Sequence, residues 1–77
     1  MPKLTPLSAR VLINFLLFHG FVQVRQKGSH KFFRHEDGRR TTVPYHQGEE
    51  LGIGIIRKIL NDAELSRDQL LQWMGQE

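Results

Sequence analysis

The apolar residues of this chain change their period at Gly20, and no other feature limits its possible folds as much. Before that point Ala9, Leu12, Ile13 and Leu16 recur at the i, i+3, i+4, i+7 spacing of a helix that turns one stripe inward. Beyond it, "FVQVR" (21–25), "KFFRH" (31–35) and "RTTV" (40–43) are short runs of aromatic and β-branched residues, the signature of strands. The helical period returns with Ile55, Ile56, Ile59, Leu60 and Ala63. A chain that goes from period 3.6 to period 2 and back must pack helices on a sheet.

The punctuation agrees with this division. Pro6 and Ser8 suit the start of the first helix, and Gly20 suits the residue just past its end. Asp37-Gly38 is a strong hairpin signal between the second and third strands, while "RQKGS" reads as a looser turn between the first two. Pro44 ends the third strand because it has no N–H for the ladder. Gly52 and Gly54 give the second helix a glycine-rich entry. Ser66 with Gln69 forms a capping box for a short last helix, whose buried side is Leu70, Trp73 and Met74. The expectation is an α+β domain spanning 1–77: helix, three antiparallel strands, helix, short helix, with the helices on one face of the sheet and the other face open. A chain of 77 residues has room for a single small core. Alternation puts His30, Phe32 and Arg34 on one face of the second strand, and Lys31, Phe33 and His35 on the other. It does not say which phenylalanine enters the core.

The first helix is more apolar than one buried stripe requires, since Val11, Leu17 and Phe18 lie outside it. They would serve either an interface, with a partner protein or a second copy of the chain, or a seat for the last helix through Trp73.

Several classes are set aside by composition. The chain has no cysteine, so disulfide frameworks and thiolate zinc sites are excluded. The run Val11–Phe18 is interrupted by Asn14 and is far too short to span a bilayer. "MPKLTPLS" lacks the order of a secretion signal, so a cytoplasmic setting is expected. Charge is unevenly spread: residues 1–48 hold eight Lys/Arg against two acids, and residues 49–77 hold three against six. Arg25, Lys27, Lys31, Arg34, Arg39 and Arg40 crowd the strand region. That density suits a polyanion such as nucleic acid, and equally a solvated sheet edge that discourages aggregation.

Four histidines carry the candidate chemistry. His19 closes the first helix, where a histidine favours the carbonyl dipole, and His35 sits at the hairpin, where it is expected to be solvated. His30 follows Gly28 and Ser29, which leave room for a ligand backbone, and stands between Lys27 and Lys31, which would hold a phosphate and favour the neutral imidazole. Catalysis, phosphate contact and a structural role all remain open for it. A metal role is disfavoured, because the histidines lack HxH or HxxxH pairing. His46 lies in "VPYHQGEEL", a rigid loop leading to the N–H-rich start of the second helix.

The ordered string Arg25-Gln26-Lys27-Gly28-Ser29-His30, Phe33, Asp37-Gly38-Arg39-Arg40, Thr42-Val43-Pro44, His46, Gly48 and Glu50-Leu51 resembles the HicA toxins of bacterial type II toxin–antitoxin pairs, and the similarity runs from about Ser8 to Leu71. The resemblance implies a metal-independent endoribonuclease that cleaves messenger RNA on a double-stranded-RNA-binding-like fold. It implies His30, the histidine of the Gly-Ser-His motif, as the catalytic residue and a HicB-type antitoxin as the protein partner, with no cofactor. Arg25, Lys27, Gly28, Ser29, Lys31, Arg39, Arg40 and His46 are the expected RNA contacts. Two departures stand out: Glu49 occupies a position where the family usually has lysine, and "GIGII" lacks the usual proline before its glycine. The competing reading is a non-catalytic RNA-binding module of the same shape.

Overall fold

Ser8 begins the first helix by an N-cap: its Oγ accepts a hydrogen bond from the Val11 N–H. In the computed structural model, which describes residues 4–75, helix α1 spans Ala9–Phe18. It ends in a Schellman motif, with the Phe21 N–H donating to the Leu16 carbonyl at 3.0 Å and the Gly20 N–H to the Leu17 carbonyl at 3.1 Å. Gly20 takes φ +90°, and a Cβ there would meet His35 Nε2 at 3.0 Å, so both backbone and space call for glycine. Helix α2 (Ile53–Ala63) ends the same way through Glu64 and Leu65, but with Glu64, at φ 56°, in the left-handed position. Helix α3 (Arg67–Met74) starts on the expected capping box, Ser66 N–H to Gln69 Oε1 at 2.7 Å and Gln69 N–H to Ser66 Oγ at 3.0 Å.

Two sheets are present. A minimal ladder joins β1 (Leu7–Ser8) to β5 (Glu50–Leu51), pairing Leu7 with Leu51 and Ser8 with Glu50. It ties the start of α1 to the entry of α2, and places Pro6 before an extended residue rather than in the first helical turn. The main sheet has the order β2 (Val22–Lys27), β3 (His30–Arg34), β4 (Arg40–Pro44), all antiparallel. A bulge at Val24 shifts the β2–β3 register between Gln23 and Arg25. This is the α-β-β-β-α order expected, followed by α3. The turn between β2 and β3 differs from expectation. It is tight, only Gly28 and Ser29 long, because the ladder continues to the Lys27–His30 pair.

Phe33 is the phenylalanine that enters the core, 1% exposed among Phe15, Phe21, Leu12, Leu16, Val43, Ile56, Ile59 and Leu70. Removing a side chain of this size from water contributes about 1.5–3 kcal/mol, so the choice between Phe32 and Phe33 orients the whole sheet. Helices α1 and α2 both lie against β4 on this face. Thr41, the buried polar residue of β4, donates from Oγ1 to Asp62 Oδ2 at 3.2 Å.

Three sequence expectations need correction. Phe15 is fully buried while Ile13 is only half-buried, because α1 is covered on a second side by α3, whose Trp73 ring lies 5.4 Å from that of Phe15. Ile55 is exposed, although it matched the apolar stripe of α2. Trp73 and Met74 are half-buried, leaving Leu70 as the fully buried residue of α3. Met1–Lys3 and Gln76–Glu77, the ends of the domain expected over 1–77, lie outside the described residues. Among those residues, no helix is long and apolar enough to cross a membrane.

Candidate active site on the open face of the sheet

Because Phe33 points into the core, its neighbours His30, Phe32 and Arg34 face the helix-free side. Directly paired residues of an antiparallel ladder share a face, so the register sets out this surface in three rows. Lys27, His30 and Pro44 form the first; Arg25, Phe32 and Thr42 the second; Val22, Arg34 and Arg40 the third. Rows on one face are about 6.6 Å apart along a strand. His30 is exposed and sits at the end of β3, immediately after the two-residue turn. Gly28 has φ +58°, which fits the first position of a tight hairpin turn and disfavours any side chain there.

The same turn is anchored from below. Pro44 lacks an N–H, and the next residue, Tyr45, takes over the ladder by donating its N–H to the Ser29 carbonyl at 2.6 Å. The loop carrying His46 is thereby fixed to the end of the sheet that carries His30. His46 is exposed, and its carbonyl accepts from the Glu49 N–H at 3.0 Å in a turn whose Gly48 has φ +82°.

The two lysines beside His30 are not equivalent. Lys27 is across the ladder from His30 on the same face, whereas Lys31 points to the opposite face, with its Nζ 4.3 Å from the centre of the Tyr45 ring. Arg25 lies on the open face with its guanidinium 5.2 Å from the centre of the Phe32 ring. Arg40, in the third row, is exposed on that face too. Arg39 is the expected RNA contact that the structure does not bring to His30. It belongs to the far hairpin, where Nε donates to both carboxylate oxygens of Asp37 at 3.1 and 2.9 Å, Nη1 donates to the Ala63 carbonyl, and the guanidinium lies 5.1 Å from the Phe21 ring centre. These hydrogen bonds from Arg39 hold the Asp37 carboxyl below its ordinary range.

His19 and His35 are structural neighbours of that hairpin, and His35, expected to be solvated, is instead half-buried with its ring 5.1 Å from that of Phe21. His35 Nδ1 lies 3.1 Å from the Asp37 N and 3.0 Å from Asp37 Oδ1. Since the backbone N–H must donate, Nδ1 is the acceptor in this arrangement, and the short carboxylate distance follows from the turn. His19 packs edge-on against Phe15 and Phe18 at 4.7 and 5.2 Å, and its pKa is lowered by burial and then by the charge of Arg39. Phe32 and Arg34 were not among the expected contacts. Alternation placed both with His30, but only the burial of Phe33 shows that this face is the free one.

The exposed histidine, its in-register lysine and the cations Arg25, Arg34 and Arg40 lie together on one face of the sheet, drawn from positions 25–40 of the sequence. A comparison with curated proteins finds no match. The family model described as the HicA toxin of bacterial toxin–antitoxin systems matches residues 9–65, a span that includes every residue of the three rows. The chain therefore belongs to the HicA toxin family.

Proposed function

We propose that this toxin is a metal-independent endoribonuclease that cleaves messenger RNA in the cytoplasm, with His30 as the proton-transfer group at the scissile phosphodiester. The observation that supports it most is the pairing of an exposed His30 with Lys27 on a face bare of helices. RNA carries its own nucleophile. The ribose 2′-oxygen attacks the phosphorus, the P–O5′ bond breaks, and the products are a 2′,3′-cyclic phosphate and a 5′-hydroxyl. His30 takes the 2′-hydroxyl proton or gives one to the leaving 5′-oxygen, as an imidazole can near neutral pH. Lys27, Arg25, Arg40 and the backbone N–H groups of the Gly28–Ser29 turn offset the negative charge that builds on the phosphoryl oxygens. His46, held at the same end of the sheet, is the candidate for the second proton transfer. Lys31 serves RNA from the flank of the turn, and Glu49, where the family usually has lysine, removes one possible phosphate contact.

The toxin's partner, in this reading, is a HicB-type antitoxin. Leu17 and Phe18 remain 48% and 65% exposed although the Trp73 ring lies 6.2 Å from that of Phe18, so α3 covers Phe15 but leaves an apolar pair in solvent. Leu17→Glu together with Phe18→Glu is expected to abolish antitoxin binding while the melting temperature holds; unchanged affinity would remove this surface from the interface. The catalytic reading is tested by inducing the wild-type chain and His30→Ala in cells and following growth and messenger RNA integrity. Growth arrest and RNA loss should require His30, and equal arrest by both proteins would exclude it from the mechanism.

A further inference from the structure

One row along from His30, the open face changes character. Phe32 presents an aromatic ring, half-buried, in a shallow groove lined by Arg25, Arg34, Arg40 and Thr42. The fold does not need this ring on that side, since the core is filled by Phe33 from the opposite face. All charged residues of the three rows are cations: Lys27, Arg25, Arg34 and Arg40. The acid at the groove's rim, Asp62, is already engaged by Lys58 Nζ at 3.0 Å and Thr41 Oγ1 at 3.2 Å. An aromatic face among cations complements a ligand that is flat and apolar at one point and anionic on either side, as a nucleotide is. The planar Arg25 guanidinium resting 5.2 Å from the ring centre shows that a flat group can occupy that face.

Resting on the proposed ribonuclease activity, we propose that Phe32 is a base-stacking platform, so that the toxin takes single-stranded RNA and seats one unpaired base beside the scissile phosphate. The scissile phosphate lies at the Lys27–His30 row, the base lies on Phe32 with Arg25 closing over it, and the Arg34–Arg40 pair of the third row, about 13 Å from the first, receives the phosphate two nucleotides along. The row spacing of about 6.6 Å sets these positions along the strands. Thr42, directly across β3 from Phe32, adds a hydroxyl to the same row and so a means of reading the base edge. A paired base inside a duplex cannot reach the ring, so duplex RNA is excluded by the same geometry.

The test uses His30→Ala protein, which holds RNA without cutting it, and short single-stranded RNAs carrying one 2-aminopurine, whose fluorescence is quenched by stacking. Quenching is expected with the single strand and not with its duplex. Adding Phe32→Leu, which keeps the apolar bulk, should abolish the quenching and weaken binding by about tenfold or more, the cost of one lost base–aromatic stack. Adding Phe32→Trp instead should preserve binding and deepen the quenching, a result that loss of folding cannot produce. Unchanged affinity and quenching in the Phe32→Leu protein, or equal binding of the duplex, would overturn the platform while leaving catalysis by His30 standing. Cleavage by the His30→Ala protein at close to the wild-type rate would instead overturn the catalytic reading, and would do so whatever Phe32 contributes.

Discussion

At the Gly28–Ser29 turn, His30 and Lys27 are exposed, and among the described residues neither enters a side-chain hydrogen bond. At the Asp37–Gly38 turn, built from much the same residue types, His35, Asp37 and Arg39 are engaged with one another. Asp37 accepts from the Arg39 backbone and side chain, His35 Nδ1 accepts from the Asp37 N–H, and Arg39 reaches across to the Ala63 carbonyl at the end of α2. One end of the sheet is tied to α2 through Arg39, and the other leaves the side chains of Lys27 and His30 exposed. A histidine useful for proton transfer must be able to meet a substrate; a histidine useful for structure must already have met its partners. His30 and His35 are five positions apart on adjoining turns and fall on opposite sides of that division.

The strongest way to break the comparison is to exchange the two ends' importance. If the open end does the chemistry, His30→Ala should lower the rate of RNA cleavage by about 10²–10⁴-fold, the contribution of a positioned proton-transfer group, with little change in melting temperature. At the tied end the loss should be in stability instead. Arg39→Ala leaves a C-terminal carbonyl of α2 without its donor and strips the cation from the Phe21 ring, a loss of about 1–3 kcal/mol. For a domain this small that corresponds to a fall of roughly 4–8 °C in melting temperature per kcal/mol, with cleavage per folded molecule retained. Arg39→Lys should recover little, because an ammonium cannot hold Asp37 and the Ala63 carbonyl in one fork.

A smaller effect comes from pH. Burial lowers the pKa of His19 in the folded protein, so below its ordinary value of 6.5 the unfolded chain takes up a proton that the folded one resists. Stability from this group is complete above that value and declines as the pH falls beneath it. A set of melting curves across the range should show this decline, and His19→Gln should flatten it; an identical slope in the variant would assign the effect elsewhere. The smallest change is a gain. Glu64 sits at φ 56°, where a side chain is strained, and Glu64→Gly should stabilise the C-terminus of α2 by up to about 1 kcal/mol.

Much of this was legible in the sequence, and the residues show why some was not. Ser8, Gly20, Asp37-Gly38 and the Ser66–Gln69 box act locally, through their own backbone geometry, and each marks the boundary it seemed to mark. The exposed face was narrowed to two options by alternation alone. Choosing between them required knowing whether Phe32 or Phe33 is buried, and two adjacent phenylalanines carry the same hydrophobic signal. Phe15 escaped the stripe because its burial depends on α3 arriving from far along the chain. The β1–β5 ladder is two residues long, too short for any period. Arg39 looked like one more cation in a basic stretch; its hydrogen bonds to Asp37 and to the Ala63 carbonyl, twenty-four positions away, are tertiary facts. For the site, the motif pointed to His30, and the register added Phe32 and Arg34 beside it.

The most direct measurement compares two histidine variants in one assay. Purified His30→Ala and His35→Ala proteins are incubated with single-stranded RNA, the new ends are mapped chemically, and each rate is divided by the fraction folded. The account predicts 2′,3′-cyclic phosphate and 5′-hydroxyl ends from the His35→Ala protein at close to the wild-type rate, and none above background from His30→Ala. Cleavage by His30→Ala with loss in His35→Ala, or 5′-phosphate ends from the wild-type protein, would contradict it.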